Sequence, residues 1–168
     1  MGQQFRSTSG RLGIRLWLAV FLCGLVGPAW GVENRAADFT LREVREGKEY
    51  SLSQYKGQVV LLNFFTFFCG PCRMEMPELN QMDQELKEKG FQALGIGLAS
   101  EEAQLKSLAQ QLGLRYPVLI GTDQVSKDYG NIQLVPTTFI IDRGGKIVHK
   151  ILGARSKEEF LKLIEPLL

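Results

Sequence analysis

Val59-Val60-Leu61-Leu62-Asn63-Phe64-Phe65-Thr66-Phe67-Phe68-Cys69-Gly70-Pro71-Cys72-Arg73 passes from an apolar run into a polar, helix-like one. The apolar part, Val59 to Phe65, fits a strand buried on both faces. The change of character falls on the cysteines. Two thiols three positions apart lie on one helix face, one turn from each other, and close a small disulfide ring with little backbone movement. Pro71 supplies the fixed φ suited to a first helical position, which leaves Cys69 at the helix mouth and Cys72 one turn inside. Unpaired amides and the positive end of the helix dipole stabilise a thiolate at that mouth. Cys69 is therefore the expected nucleophile, with a pKa below that of a free thiol, and the stretch reads as a reversible redox centre.

Outward from this centre, the chain of 168 residues is long enough for one domain with a substantial core. Its formal charge of +2 is uneven, because Arg6, Arg11 and Arg15 stand in an N-terminal segment without acids, leaving 17 basic against 18 acidic residues elsewhere. The folded part is near neutral, which excludes the clustered Lys and Arg that nucleic acid or an anionic surface would need.

Residues 1–31 have the three-part form of an export signal: a basic start, an apolar centre from Leu16 to Gly27 and a small-residue site Ala29-Trp30-Gly31. Cleavage is expected after Gly31, leaving 32–168 as the mature domain in the periplasm or another extracytoplasmic space. The alternative is an uncleaved anchor over residues 16–32, since that uncharged run of 17 residues reaches the lower edge of what spans a bilayer. Cys23 falls within the signal, so only Cys69 and Cys72 remain after cleavage. One pair is too few for the disulfide framework of a small secreted protein, and so short a loop would stabilise little, which favours working chemistry over stapling.

Ala36 to Leu41 and Tyr50 to Leu52 flank a polar turn and predict a hairpin, with Ser53 to Gly57 as a connector into the central strand. Met76, Leu79, Met82 and Leu86 follow helical spacing, Pro77 is expected to kink that helix, and Gly90 marks its end. Phe91 to Leu98 predicts a buried strand, Glu101 to Leu112 a helix, Tyr116 to Ile120 a strand, and Thr122 or Asp123 the cap of a short helix reaching Tyr129. Thr137 to Ile141 and Ile147 to Ile151 surround the turn Asp142-Arg143-Gly144-Gly145-Lys146 as an antiparallel hairpin. Ser156 with Glu159 forms a capping box for a last helix, with Phe160, Leu161, Ile164 and Leu168 facing inward. This order predicts an α/β fold: a mixed central sheet flanked by helices.

Cys69-Gly70-Pro71-Cys72 at a strand-to-helix corner, with Val135-Pro136-Thr137-Thr138-Phe139 before the closing hairpin, resembles the thioredoxin fold. Ala36-Ala37-Asp38-Phe39-Thr40-Leu41, Asn63 in the central strand, Arg73-Met74-Glu75-Met76-Pro77 and an extra strand-helix unit in the middle are similar to exported thiol-disulfide oxidoreductases of the TlpA and ResA type. The similarity covers residues 36–168. It implies Cys69 as attacking thiol, Cys72 as resolving thiol, and no cofactor beyond their disulfide. It implies a cis Pro136 against the disulfide, with Val135 offering its backbone to a bound peptide and Phe68, Gly70 and Pro71 lining the contact. Glu75, three positions after Cys72 on the same helix face, is implied as acceptor of the Cys72 proton, because thioredoxin has an acid where this chain has Asn63. The implied partners are protein thiols and disulfides and a membrane electron donor that keeps a monomeric reductase reduced, with apocytochrome c thiols as a substrate. Phe68 stands where the family usually has tryptophan, and Ala37 where proline is common.

Two alternatives stay open. Thr66 and Cys69 have peroxiredoxin spacing, which suggests a thiol peroxidase, although Leu62 replaces the proline expected four residues before the threonine. Cys69, Cys72 and the single histidine, His149, suggest a non-enzymatic copper-binding protein, since thiolates suit copper(I).

Overall fold

The computed structural model describes residues 34–168; the expected export signal lies outside them. A hairpin of β1 (Thr40–Arg42) and β2 (Glu49–Ser51) is followed by one 3-10 turn, Leu52–Tyr55, where the sequence predicts a connector. Then come β3 (Val59–Phe65), α1 (Gly70–Leu86), β4 (Phe91–Gly97), α2 (Glu102–Gln111), β5 (Val118–Ile120), α3 (Asp123–Asp128), β6 (Thr137–Ile141), β7 (Ile147–Leu152) and α4 (Lys157–Ile164). The five-stranded sheet has the order β5-β4-β3-β6-β7, with β3, β4 and β5 parallel and β6 and β7 antiparallel to their neighbours. The predicted mixed sheet and both hairpins are present.

Every residue of β3 is buried, and its alternation divides them between two cores. Val59, Leu61 and Phe65 face the layer formed by α1, α2 and α4, against Cys72, Met76, Leu79, Met82, Leu105, Leu108, Phe160 and Ile164. Val60, Leu62 and Phe64 face the other layer, with Leu94, Ile96, Phe139, Val125 and Tyr129. Burying each large apolar side chain contributes about 1.5–3 kcal/mol, so these two clusters are the main source of stability. The same parity turns Asn63 towards α1.

The N-terminal segment crosses the sheet beneath this second core. The Ile147 N–H donates to the Asn34 carbonyl at 2.7 Å and the Ala36 N–H to Gly145 at 2.9 Å, beside the start of β7. Eight residues later the Val44 N–H donates to Val118 at 3.0 Å on β5, the opposite edge. Phe39 and Leu41 pack into the second core between these anchor points, and the Tyr129 hydroxyl donates to the Ala37 carbonyl at 2.8 Å. Hydrogen-bonding groups at both sheet edges are thereby occupied, which guards against edge-to-edge association. A buried ionic knot fixes the far end. Glu43 accepts from the Arg45 and Glu46 N–H groups and the Arg45 side chain, each at 2.7 Å, while Arg45 also donates to the Leu114 and Tyr116 carbonyls. Burial pushes the Glu43 carboxyl up, but these donors outweigh it and hold the pKa below its ordinary value.

Pro77 lies inside a helix that runs through it, and Gly90 closes the following turn in the left-handed conformation, φ +81°. Ser156 and Glu159 form the predicted capping box. Glu101 and Gln104 form a second at α2, which the sequence reading missed because glutamate is an uncommon cap residue.

Candidate active site

The site grows from the end of β3. Four residues after that strand, Cys69 adopts extended backbone and caps α1 at the helix mouth, as the spacing predicts, while Pro71 takes the second helical position, one later than expected, because the helix already begins at Gly70. Cys69 and Cys72 are joined as a disulfide with their Cα atoms 5.3 Å apart. The Cys72 N–H points at Cys69 Sγ, 3.2 Å away, so a main-chain donor already faces the sulfur that would carry negative charge on reduction. Cys72 is wholly buried, whereas Cys69 is half-buried and Gly70 and Pro71 are exposed. An incoming disulfide can therefore reach Cys69 and not Cys72.

β6 brings the second component to the same end of the sheet. Thr137 pairs with Phe64 near the end of β3, so the residues just before β6 lie on the side where the cysteine corner begins. The Val135-Pro136 peptide is cis, Pro136 is buried, and its carbonyl accepts from the Gly153 N–H at 2.9 Å. Val135 and Cys69 both pack on the margin of the core cluster that contains Cys72. Phe68, Met74 and Leu134 are 75%, 79% and 62% exposed, an unusual display for large apolar residues. Phe68 meets Phe67 edge-on with ring centroids 5.1 Å apart, and Arg73 lies 5.8 Å above the Phe67 ring.

Glu75 is the third component. It projects from the buried face of α1 one turn beyond Cys72 and is only 3% exposed. Asn63 Nδ2 donates to Oε1 at 2.9 Å, and the Arg155 N–H, in the loop between β7 and α4, donates to Oε2 at 2.8 Å. Burial is the largest influence and pushes the carboxyl up; the Arg155 and Asn63 donors pull it down and the nearby Glu78 charge raises it. The net value is about 7. A carboxyl poised there can accept a proton near neutral pH.

The structure thus brings Cys69, Cys72 and Glu75 to one helix end. Thr138 and the Arg155 main chain were missed from sequence. Thr138 enters because β3 and β6 pair in a register that sets it opposite Asn63, and a main-chain donor leaves no mark on residue type. His149 lies on β7 opposite Ile140. Among the described residues, no three of His, Cys, Asp and Glu gather as a metal site.

The model of the AhpC/TSA family matches residues 32–150. This chain belongs to the AhpC/TSA family. Family membership comes with a closer likeness: the thiol-disulfide oxidoreductase ResA of Bacillus thuringiensis subsp. konkukian is 34% identical over 171 residues, covering 93% of this chain and 98% of that protein. Among solved structures, a thiol:disulfide interchange protein of the thioredoxin family from Chlorobium tepidum matches with a TM-score of 0.75 and 30% identity over 80% of this chain and 96% of its own. The exposed lipoprotein thioredoxin of Streptococcus pneumoniae matches with a TM-score of 0.69 and 30% identity, over 78% of this chain and all of its own. The fold is that of thioredoxin, and this family member is a thiol-disulfide oxidoreductase.

Proposed function

We propose that this oxidoreductase works outside the cytosol as a reductase of protein disulfides. The observation that carries the reading is the unequal exposure of its cysteines, Cys69 reachable and Cys72 wholly buried beside a carboxyl with a pKa of about 7. In the reduced protein the Cys69 thiolate attacks one sulfur of a partner disulfide. A mixed disulfide forms and one partner thiolate leaves. Cys72 then gives its proton to Glu75, and its thiolate attacks Cys69 Sγ. The Cys69–Cys72 disulfide forms, the second partner thiolate leaves, and two electrons have passed to the partner. Val135 and the peptide bond to Pro136 give the partner a main-chain edge to align with, while Phe68, Gly70 and Pro71 line its approach.

The export-signal pattern of residues 1–31 and the likeness to an exposed lipoprotein thioredoxin support the extracytoplasmic setting. In that setting a membrane electron donor returns Cys69 and Cys72 to the thiol form. Apocytochrome c disulfides are the substrate class suggested by the ResA likeness. The peroxidase alternative is disfavoured because Cys69 is closed by a partner three residues away rather than left for peroxide.

Cys72→Ser in the full chain tests this. It forms the mixed disulfide and cannot resolve it, so a dithiothreitol-sensitive adduct at Cys69 accumulates and identifies the partner. Absence of any adduct, or an equal adduct in Cys69→Ser, refutes the assignment.

A further inference from the structure

To accept a proton and release it again, Glu75 has to be stable both charged and neutral although it is enclosed. The Arg155 N–H can only donate, so Oε2 has to remain an acceptor and a proton on Glu75 belongs on Oε1. Oε1 meets Asn63, which is 1% exposed. Both protons of the Asn63 amide are engaged, one on Glu75 Oε1 and one on Thr138 Oγ1, each at 2.9 Å. Asn63 Oδ1 is buried without a partner. An unpaired buried acceptor is costly, and this one belongs to a side chain whose two ends are nearly the same shape.

That asymmetry has a chemical meaning. With Glu75 ionised, Nδ2 is the end that must face it. Once Glu75 carries a proton on Oε1, that O–H needs an acceptor, and Nδ2 is not one. A half-turn of the amide brings Oδ1 to the same place, where it accepts from the Glu75 carboxyl. Thr138, wholly buried, tolerates the exchange because a hydroxyl donates as well as accepts and can then donate to Oδ1. Each orientation leaves one end of the amide unpaired, so neither protonation state of Glu75 is favoured by an extra lost bond. Aspartate at position 63 would repel the carboxylate, and leucine would serve neither state.

We propose that Asn63, backed by Thr138, is a positioning residue whose amide turns over with the protonation of Glu75, allowing that buried carboxyl to take and release the Cys72 proton. This rests on the reading of Glu75 as proton acceptor. The other groups facing Glu75 are Glu78 on α1, the Arg155 guanidinium before α4, and Tyr116, whose hydroxyl is buried and held neutral. None of them bridges Glu75 and a second residue through an amide.

The test follows the Glu75 carboxyl by carbon-13 NMR and the Asn63 side-chain amide by nitrogen-15 NMR across pH in the oxidised full chain, with Glu75→Gln assigning the carboxyl signal. The Asn63 amide signals are expected to move with the midpoint of Glu75. Asn63→Leu is expected to raise that midpoint by about one pH unit or more, because it removes the amide's bond from both forms of Glu75 and the bond to the charged form is the stronger of the two. Asn63→Asp is expected to replace the single midpoint by two, belonging to a coupled pair. Asn63 signals that stay fixed through the Glu75 titration in the unaltered protein overturn the proposal, whether or not the variants fold. An unchanged midpoint in a folded Asn63→Leu overturns it too. Failure of the underlying reading has a separate signature: Glu75→Gln would leave the pH dependence of mixed-disulfide resolution unaltered.

Discussion

Replacing Glu75 by glutamine removes the ionisation while keeping the shape, and the structure fixes the sign and size of the result. The folded-state value near 7 lies above the ordinary 4.5, so the folded protein retains a proton that the unfolded chain releases. The stability associated with the neutral carboxyl is fully present below about pH 4.5 and is lost as the pH rises through about 7. The interval is some two and a half units at about 1.4 kcal/mol each, or about 3 kcal/mol in all. Glutamine has one acceptor and two donors, so it satisfies only one of the donors on Asn63 and Arg155. That mismatch is a constant offset of about 1 kcal/mol with no pH dependence. Urea unfolding of both oxidised proteins from pH 4 to pH 8 separates the two effects. The difference curve should tilt by about 3 kcal/mol, with the glutamine variant gaining on the unaltered protein as pH rises, then level off above pH 7. Parallel stability curves would show that the Glu75 carboxyl does not carry a raised pKa in the folded protein.

Gly121→Ala should destabilise by about 1–3 kcal/mol in thermal unfolding, because a Cβ there would stand 2.7 Å from the Gly97 carbonyl oxygen and 2.7 Å from Leu98 Cδ2, and the carbonyl belongs to rigid main chain. Ser156→Ala should cost about 1 kcal/mol by the same measurement, since it removes the side-chain acceptor for the Glu159 N–H at the start of α4. The variant should keep its ability to reduce a protein disulfide at 25 °C, because the Arg155 N–H that touches Glu75 is untouched.

The sequence was most readable where residue type and local geometry are directly linked. Val59 to Phe65 had to be a doubly buried strand, and the Gly70-Pro71 pair could only open a helix at the cysteines. Glycine-rich turns located the hairpins, and Ser156 with Glu159 located α4. What remained illegible depends on register between distant segments. Nothing local to Thr138 says that it will lie opposite Asn63; that follows from β3 and β6 pairing across 75 residues of chain. The Arg155 contact uses a main-chain N–H that any residue but proline would supply. The crossing of residues 34–44 from one sheet edge to the other also escaped prediction, since the sequence showed a hairpin and not what its flanks would touch. Asn63 sits between the two cases: its burial was foreseeable from the apolar run, whereas its role as a tether for Glu75 required the parity of β3 and the face of α1 together.

Whether Cys69 and Cys72 form a reducing couple is decided by their redox potential. Equilibrating the full chain with glutathione or dithiothreitol buffers and trapping its thiols gives the potential directly. The Gly70-Pro71 pair between the cysteines matches thioredoxin, so the expected potential lies near that of thioredoxin, about −270 mV, low enough to reduce partner disulfides. A value near about −120 mV, that of the strong oxidant DsbA, would contradict it and make this protein a donor of disulfides instead.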